Sequence, residues 1–168
     1  MLGKNDILDS LLRECEISKH LATKIPDGDV SFQPCASQRS MLDLMRYQSF
    51  CGLGGTYAMF DGNWDRYRAL AESSSAMEAG GFAAAIDQQA DGLREFFGEL
   101  TDEAFATRPA KTPMGEELPL GRALLELPVK WMTAYRMQMY LYCKQAGNDE
   151  IWTPNCWAGI DMERPPAS

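Results

Sequence analysis

The stretch LGRALLELPVKWMTAYRMQMYLYCKQAG, residues 120–147, decides the fold. It reads as one long helix from about Leu120 to Gln145, closed by Gly147, a residue suited to the left-handed cap of a helix C-terminus. Pro128 lies inside it and, having no amide hydrogen, is expected to kink or locally strain the helix. At about 100° per residue, Trp131, Tyr135, Gln138 and Tyr142 fall within one narrow face. A helix carrying such a face needs partners to cover it.

Three further segments supply them. From Asn5 to about Ile25, Leu8, Leu11, Leu12, Cys15, Ala22 and Ile25 recur at three- and four-residue steps on one face, while Asp9, Arg13, Glu16, His20 and Lys24 line the opposite, solvated one. Pro26, Gly28 and Pro34 then break the chain. Ser40 with Asp43 looks like a capping box that opens a second helix, running to about Phe60 with an inward stripe of Leu44, Tyr47, Cys51 and Ala58. Its Gly52-Leu53-Gly54-Gly55 cluster suits a close backbone approach or a bend. A phosphate-cradling loop is disfavoured, because no strand precedes the glycines and no Gly-Lys-Ser/Thr follows them. Residues 61–74 are a short polar and aromatic segment, and a third long helix is expected from about Ser75 to Leu100 through Phe82, Ile86, Leu93 and Phe97. Pro109, Pro113 and Gly115 mark a crossing loop with an extended excursion at Met114 to Pro119. The expected fold is all-α, an antiparallel four-helix bundle, up-and-down or with one longer crossover, with a short extra helix. Residues 1–147 form the bundle. Residues 148–168 form an irregular tail, pinned in part by Trp152 and Trp157 and fraying at Arg164 to Ser168.

Composition excludes several functions. With 168 residues, of which 45% are hydrophobic, the chain has enough apolar surface for one core. A formal net charge of −8 argues against nucleic-acid or anionic-membrane partners. The opening MLGKNDILDSLLREC is interrupted by charges, and no uncharged run is long enough to span a bilayer, so a cytoplasmic location is expected. Cys15, Cys35, Cys51, Cys143 and Cys156 are odd in number, widely spaced and free of any C-x-x-C pair. They read as reduced, packed thiols, with Cys156, in a loop, the exception. Ten methionines, among them Met132, Met137 and Met139, are either core filling or an adaptable contact surface for a homodimer.

Two motifs carry a family resemblance. Phe32-Gln33-Pro34 followed by Ser40-Met41-Leu42-Asp43-Leu44-Met45-Arg46-Tyr47 resembles the aromatic-x-Pro loop and capped helix of the DinB/YfiT-like family, in which the helix carries a metal-binding histidine where Tyr47 stands. Trp131-Met132-Thr133-Ala134-Tyr135-Arg136-Met137-Gln138 is similar to that family's H-x-x-x-H-R-G-Q signature, with Arg136 and Gln138 matching and aromatic residues at both histidine positions. The resemblance runs from the first helix to Gly147 and includes the Met114-Gly115-Glu116 turn.

The resemblance implies a four-helix bundle whose chemistry depends on three imidazoles around a divalent metal, and several members are metal-dependent thiol transferases or isomerases. Here the set is Tyr47, Trp131 and Tyr135, so the site is degenerate and neither metal nor other cofactor is expected: indole offers no lone pair, and phenol must first lose its proton. The three rings with Gln138 form either an aromatic filling or a small-ligand pocket. Arg136, about 100° around the helix from Tyr135, is a structural ion pair or carbonyl cap, or an anion-recognising member of that pocket. The preferred function is a non-catalytic ligand-binding or interaction module. The alternative is a metal-independent transferase or isomerase acting on a low-molecular-weight thiol, with Arg136 lowering the thiol pKa.

Overall fold

Ser40 accepts a hydrogen bond from the Asp43 amide at 3.1 Å, and the helix it caps is the centre of the architecture. The computed structural model describes residues 3–165 and contains α1 (Lys4–Ala22), α2 (Met41–Asp61), α3 (Asp65–Ser74), α4 (Phe82–Glu99) and α5 (Asp102–Thr107). A hairpin of β1 (Pro109–Lys111) and β2 (Glu117–Pro119) leads into α6 (Leu120–Leu124), a π-helical turn at Leu125–Val129, α7 (Lys130–Gln145) and α8 (Thr153–Trp157). The expectation that the chain's end frays falls partly on residues 166–168, which lie outside the described residues.

The bundle consists of α1, α2, α4 and α7, with α1 and α2 across a diagonal and each touching both α4 and α7. Lys19 reaches Asp87 while Lys4 reaches the carbonyl of Phe97, so α1 and α4 are antiparallel. Gln48 lies at Gln89 and Phe60 at Phe96, so α2 and α4 run the same way, and α3 is the crossover that carries the chain back. Between the two connection patterns left open by the sequence, the long crossover is the one observed.

The core is built largely from the expected stripes. Leu11, Cys15, Leu44, Cys51, Phe82, Ile86, Leu93 and Phe97 are buried, and Met132 and Met139 are core filling. The third long helix begins at Phe82 instead of Ser75, because 75–81 forms a turn and a short 3-10 segment containing Gly80 and Gly81. Much of 61–74, by contrast, is helical, as α3. Pro128 does not break the last helix: in the π-helical turn the hydrogen-bond partner moves one residue further back, which relieves the clash between the ring and the preceding turn.

Gly52 resolves the question of its cluster. Gln89 Oε1 accepts from the amides of Gly52 and Leu53 at 2.9 and 3.2 Å, and Gln89 Nε2 donates to the Gln48 carbonyl at 3.0 Å. A Cβ at position 52 would stand 2.3 Å from Met132 Sδ and 3.2 Å from Gln89 Oε1. The glycine therefore admits α4 and α7 to the same point of α2.

Two expectations about the first helix and the tail are corrected. His20 does not face water: its side chain is 15% exposed, and its Nε2 lies 3.1 Å from Asn155 Nδ2 because residues 155–161 cover that edge of α1. Cys156, in α8, is buried, whereas Cys35, in the loop before α2, is the exposed thiol. Burial pushes the Cys15 and Cys143 thiols up to about 12. No described helix is long and apolar enough to cross a membrane.

Candidate functional site

Tyr47 lies on α2, while Trp131 and Tyr135 sit one turn apart on α7, and the antiparallel packing of these helices brings the three together. The Tyr47 and Tyr135 rings meet edge to face with centroids 4.6 Å apart, and Tyr47 and Trp131 lie 6.4 Å apart. Three rings not singled out in the sequence complete the cluster. Phe50 is one turn along α2, 5.4 Å from Tyr47. Tyr67, from α3, lies 5.2 Å from Phe50 and 6.2 Å from Trp131, and Trp64, at the start of α3, lies 5.1 Å from Tyr67 and 6.2 Å from Trp131. Gly54 makes this possible, since a Cβ there would come within 2.9 Å of Tyr67 Cδ2 and 3.3 Å of Phe50 Cδ2. Each such aromatic contact contributes about 0.5–1.5 kcal/mol beyond the area it buries.

Phe50 is buried at the back of the cluster, while Tyr47, Trp64, Tyr67, Trp131 and Tyr135 are half-buried. Tyr67 Oη donates to Tyr47 Oη at 3.3 Å. Burial raises both phenols above their ordinary value of 10.0. Both are therefore neutral near pH 7. Over these rings lies the guanidinium of Arg39, another residue not foreseen, with Cζ 4.4 Å from the Tyr47 centroid and 5.6 Å from that of Tyr135.

Gln138 and Arg136 lie outside this ring cluster. Gln138 Nε2 donates to Tyr142 Oη at 2.7 Å, and Tyr142 Oη donates to the Arg39 carbonyl at 3.1 Å. Gln138 thus helps to hold the loop that carries Arg39. The same loop is tied down where the amide of Met41 donates to the Phe32 carbonyl at 2.8 Å and the Phe32 ring meets Tyr142 at 5.7 Å. Arg136 turns toward α1. Its Nε donates to Glu14 Oε2 at 2.5 Å and its Nη2 to Glu14 Oε1 at 3.3 Å, while Nη1 bonds the Cys156 carbonyl. It is an ion pair and a carbonyl cap that fasten α8 to the bundle.

The donor set at Tyr47, Trp131 and Tyr135 does not fit a divalent metal. Indole has no lone pair to offer, and the raised Tyr47 phenol resists the ionisation that coordination requires. Among the described residues no group of three or more His, Cys, Asp or Glu side chains is placed to hold a metal ion elsewhere.

This bundle, with its α3 crossover, has the DinB-like fold. Among solved structures it is similar to the crystal structure of a DinB-like protein, YjoA, from Bacillus subtilis, at a TM-score of 0.65 and 17% sequence identity, covering 88% of this chain and 96% of that one. No family model and no curated protein matches the sequence.

Proposed function

We propose that this protein is a non-catalytic member of the DinB-like fold that binds a small molecule at the aromatic site of Tyr47, Trp131 and Tyr135 without a metal. The observation that carries the reading is the meeting of those three side chains at 4.6 and 6.4 Å, with no imidazole among them, at positions that the motif resemblance aligns with the family's histidines. Five half-buried rings on one side of the bundle supply apolar contact area, and the neutral phenols supply orientation. The alternative, metal-independent chemistry on a low-molecular-weight thiol, draws no support from Arg136, whose charge is engaged by Glu14.

Elemental analysis after incubation with zinc, nickel, iron and manganese, followed by removal of excess metal, tests the reading. The wild-type chain should retain less than about a tenth of an equivalent, and the triple variant Tyr47→His, Trp131→His, Tyr135→His should retain markedly more zinc. Near-stoichiometric metal on the wild type would refute the degenerate site.

A further inference from the structure

Arg39 is an exposed residue whose guanidinium lies over the aromatic site. Its Cζ stands 4.4 Å from the Tyr47 ring centroid and 5.6 Å from that of Tyr135, a cation–π placement that leaves its N–H groups to solvent. Among the described residues no carboxylate lies within ion-pair distance and no acceptor takes a hydrogen bond from its side chain. Asp43, the nearest acid along the chain, is already engaged by the Ser40 hydroxyl at 2.8 Å and by Arg46 at 3.3 Å. The Tyr135 hydroxyl likewise has no hydrogen-bond partner among the described residues, and the Tyr47 hydroxyl accepts from Tyr67, which leaves its own proton to donate.

A cation and two phenolic donors without protein acceptors thus lie on rings that touch one another. Such an arrangement is complementary to an oxyanion. A carboxylate matches the fork of one guanidinium, whereas a cationic ligand would have to enter beside a positive charge already seated on the rings. The half-buried faces and edges of Trp64, Tyr67 and Trp131 suit a flat apolar body attached to that carboxylate. The backbone bearing Arg39 is held in place through Tyr142 and Gln138 before any ligand arrives.

Resting on the small-ligand reading above, we propose that the site recognises a small aromatic carboxylate, with Arg39 gripping the carboxylate, Tyr47 and Tyr135 donating to it, and Trp64, Tyr67 and Trp131 packing on the ring. Three phenyl probes of different charge test this by calorimetry and tryptophan fluorescence: benzoate, its neutral isostere benzamide, and cationic benzyltrimethylammonium. Benzoate should bind at least about ten-fold more tightly than either of the others. Arg39→Gln should weaken benzoate about ten-fold or more while changing benzamide less than about two-fold, and Tyr135→Phe should weaken benzoate several-fold. A merely structural Arg39 would weaken all three probes equally. If benzamide or the ammonium probe binds and benzoate does not, the carboxylate inference falls and the small-ligand reading stands. If Arg39→Gln leaves benzoate binding unchanged, the role given to Arg39 is overturned. If none of the three binds at millimolar concentration, both readings fall.

Discussion

Replacing Glu14 by Ala should be among the most damaging single changes available outside the apolar core. The Arg136 side chain is 2% exposed and that of Glu14 12%, and Glu14 accepts from Arg136 twice and from Thr133 Oγ1 at 2.9 Å. Removing the carboxylate leaves a guanidinium with almost no access to water and a hydroxyl without its acceptor. Breaking one side of a buried pair in this way costs about 3–5 kcal/mol. Against a total stability of about 5–15 kcal/mol that is a large fraction. In a chain of this size it corresponds to a fall in Tm of roughly 6–20 °C. Urea unfolding followed by far-ultraviolet circular dichroism measures it. The double variant Glu14→Leu, Arg136→Met should recover most of the loss, because an apolar pair of similar volume is near neutral relative to a buried ion pair. A cost for Glu14→Ala below about 1 kcal/mol, the level of an exposed pair, would refute the assignment of Arg136 as a buried structural cation.

Gln89→Leu should cost roughly 1–3 kcal/mol in the same assay, since buried backbone groups of α2 lose the amide that bonds them; an unchanged midpoint would show that α2 satisfies them by itself. Stability should be level between about pH 7 and 8.5 and decline above that range. Burial raises the thiols of Cys15, Cys51, Cys143 and Cys156 and the phenols of Tyr47 and Tyr67. The folded state therefore holds these protons more tightly than the unfolded state, unfolding releases protons above that pH, and stability is lost as pH rises. A urea midpoint independent of pH from 7 to 10 would contradict this. Cys35 is exposed and its thiol is held below the usual range by its bond with Ser37. A colorimetric disulfide reagent should accordingly find one fast thiol in the native chain and none in Cys35→Ser.

The four long helices were legible because each carries a period that only a helix satisfies, and Leu11, Cys15, Leu44, Ile86 and Phe97 are buried where that period puts them. What the periods could not show was which surfaces a later segment covers. Ile17, Ser18 and His20 belong to the second face of α1, and that face is closed by residues more than a hundred positions away. The same blindness reversed the two cysteines: Cys156 was read from its loop-like context, but Arg136 and Glu14 fasten its short helix to the bundle.

The site divides along the same line. Tyr47, Trp131 and Tyr135 were found because helical geometry and motif spacing each placed them on facing stripes, and their rings do meet. Arg39, Trp64 and Tyr67 come from a loop and from the crossover helix, where no periodicity announces a contact; the one available signal was a pair of large aromatics, Trp64 and Tyr67, in an otherwise polar segment. The crossover that makes α2 and α4 parallel is also the element that delivers those rings against Trp131, and Gly54 is the small residue that admits Tyr67. The aromatic cluster is therefore built from the topology itself, not only from the side chains at positions 47, 131 and 135. A substitution confined to those three positions would leave Arg39, Trp64 and Tyr67 in place. Histidines introduced there should consequently give a metal site that still carries a cation and two extra rings beside it.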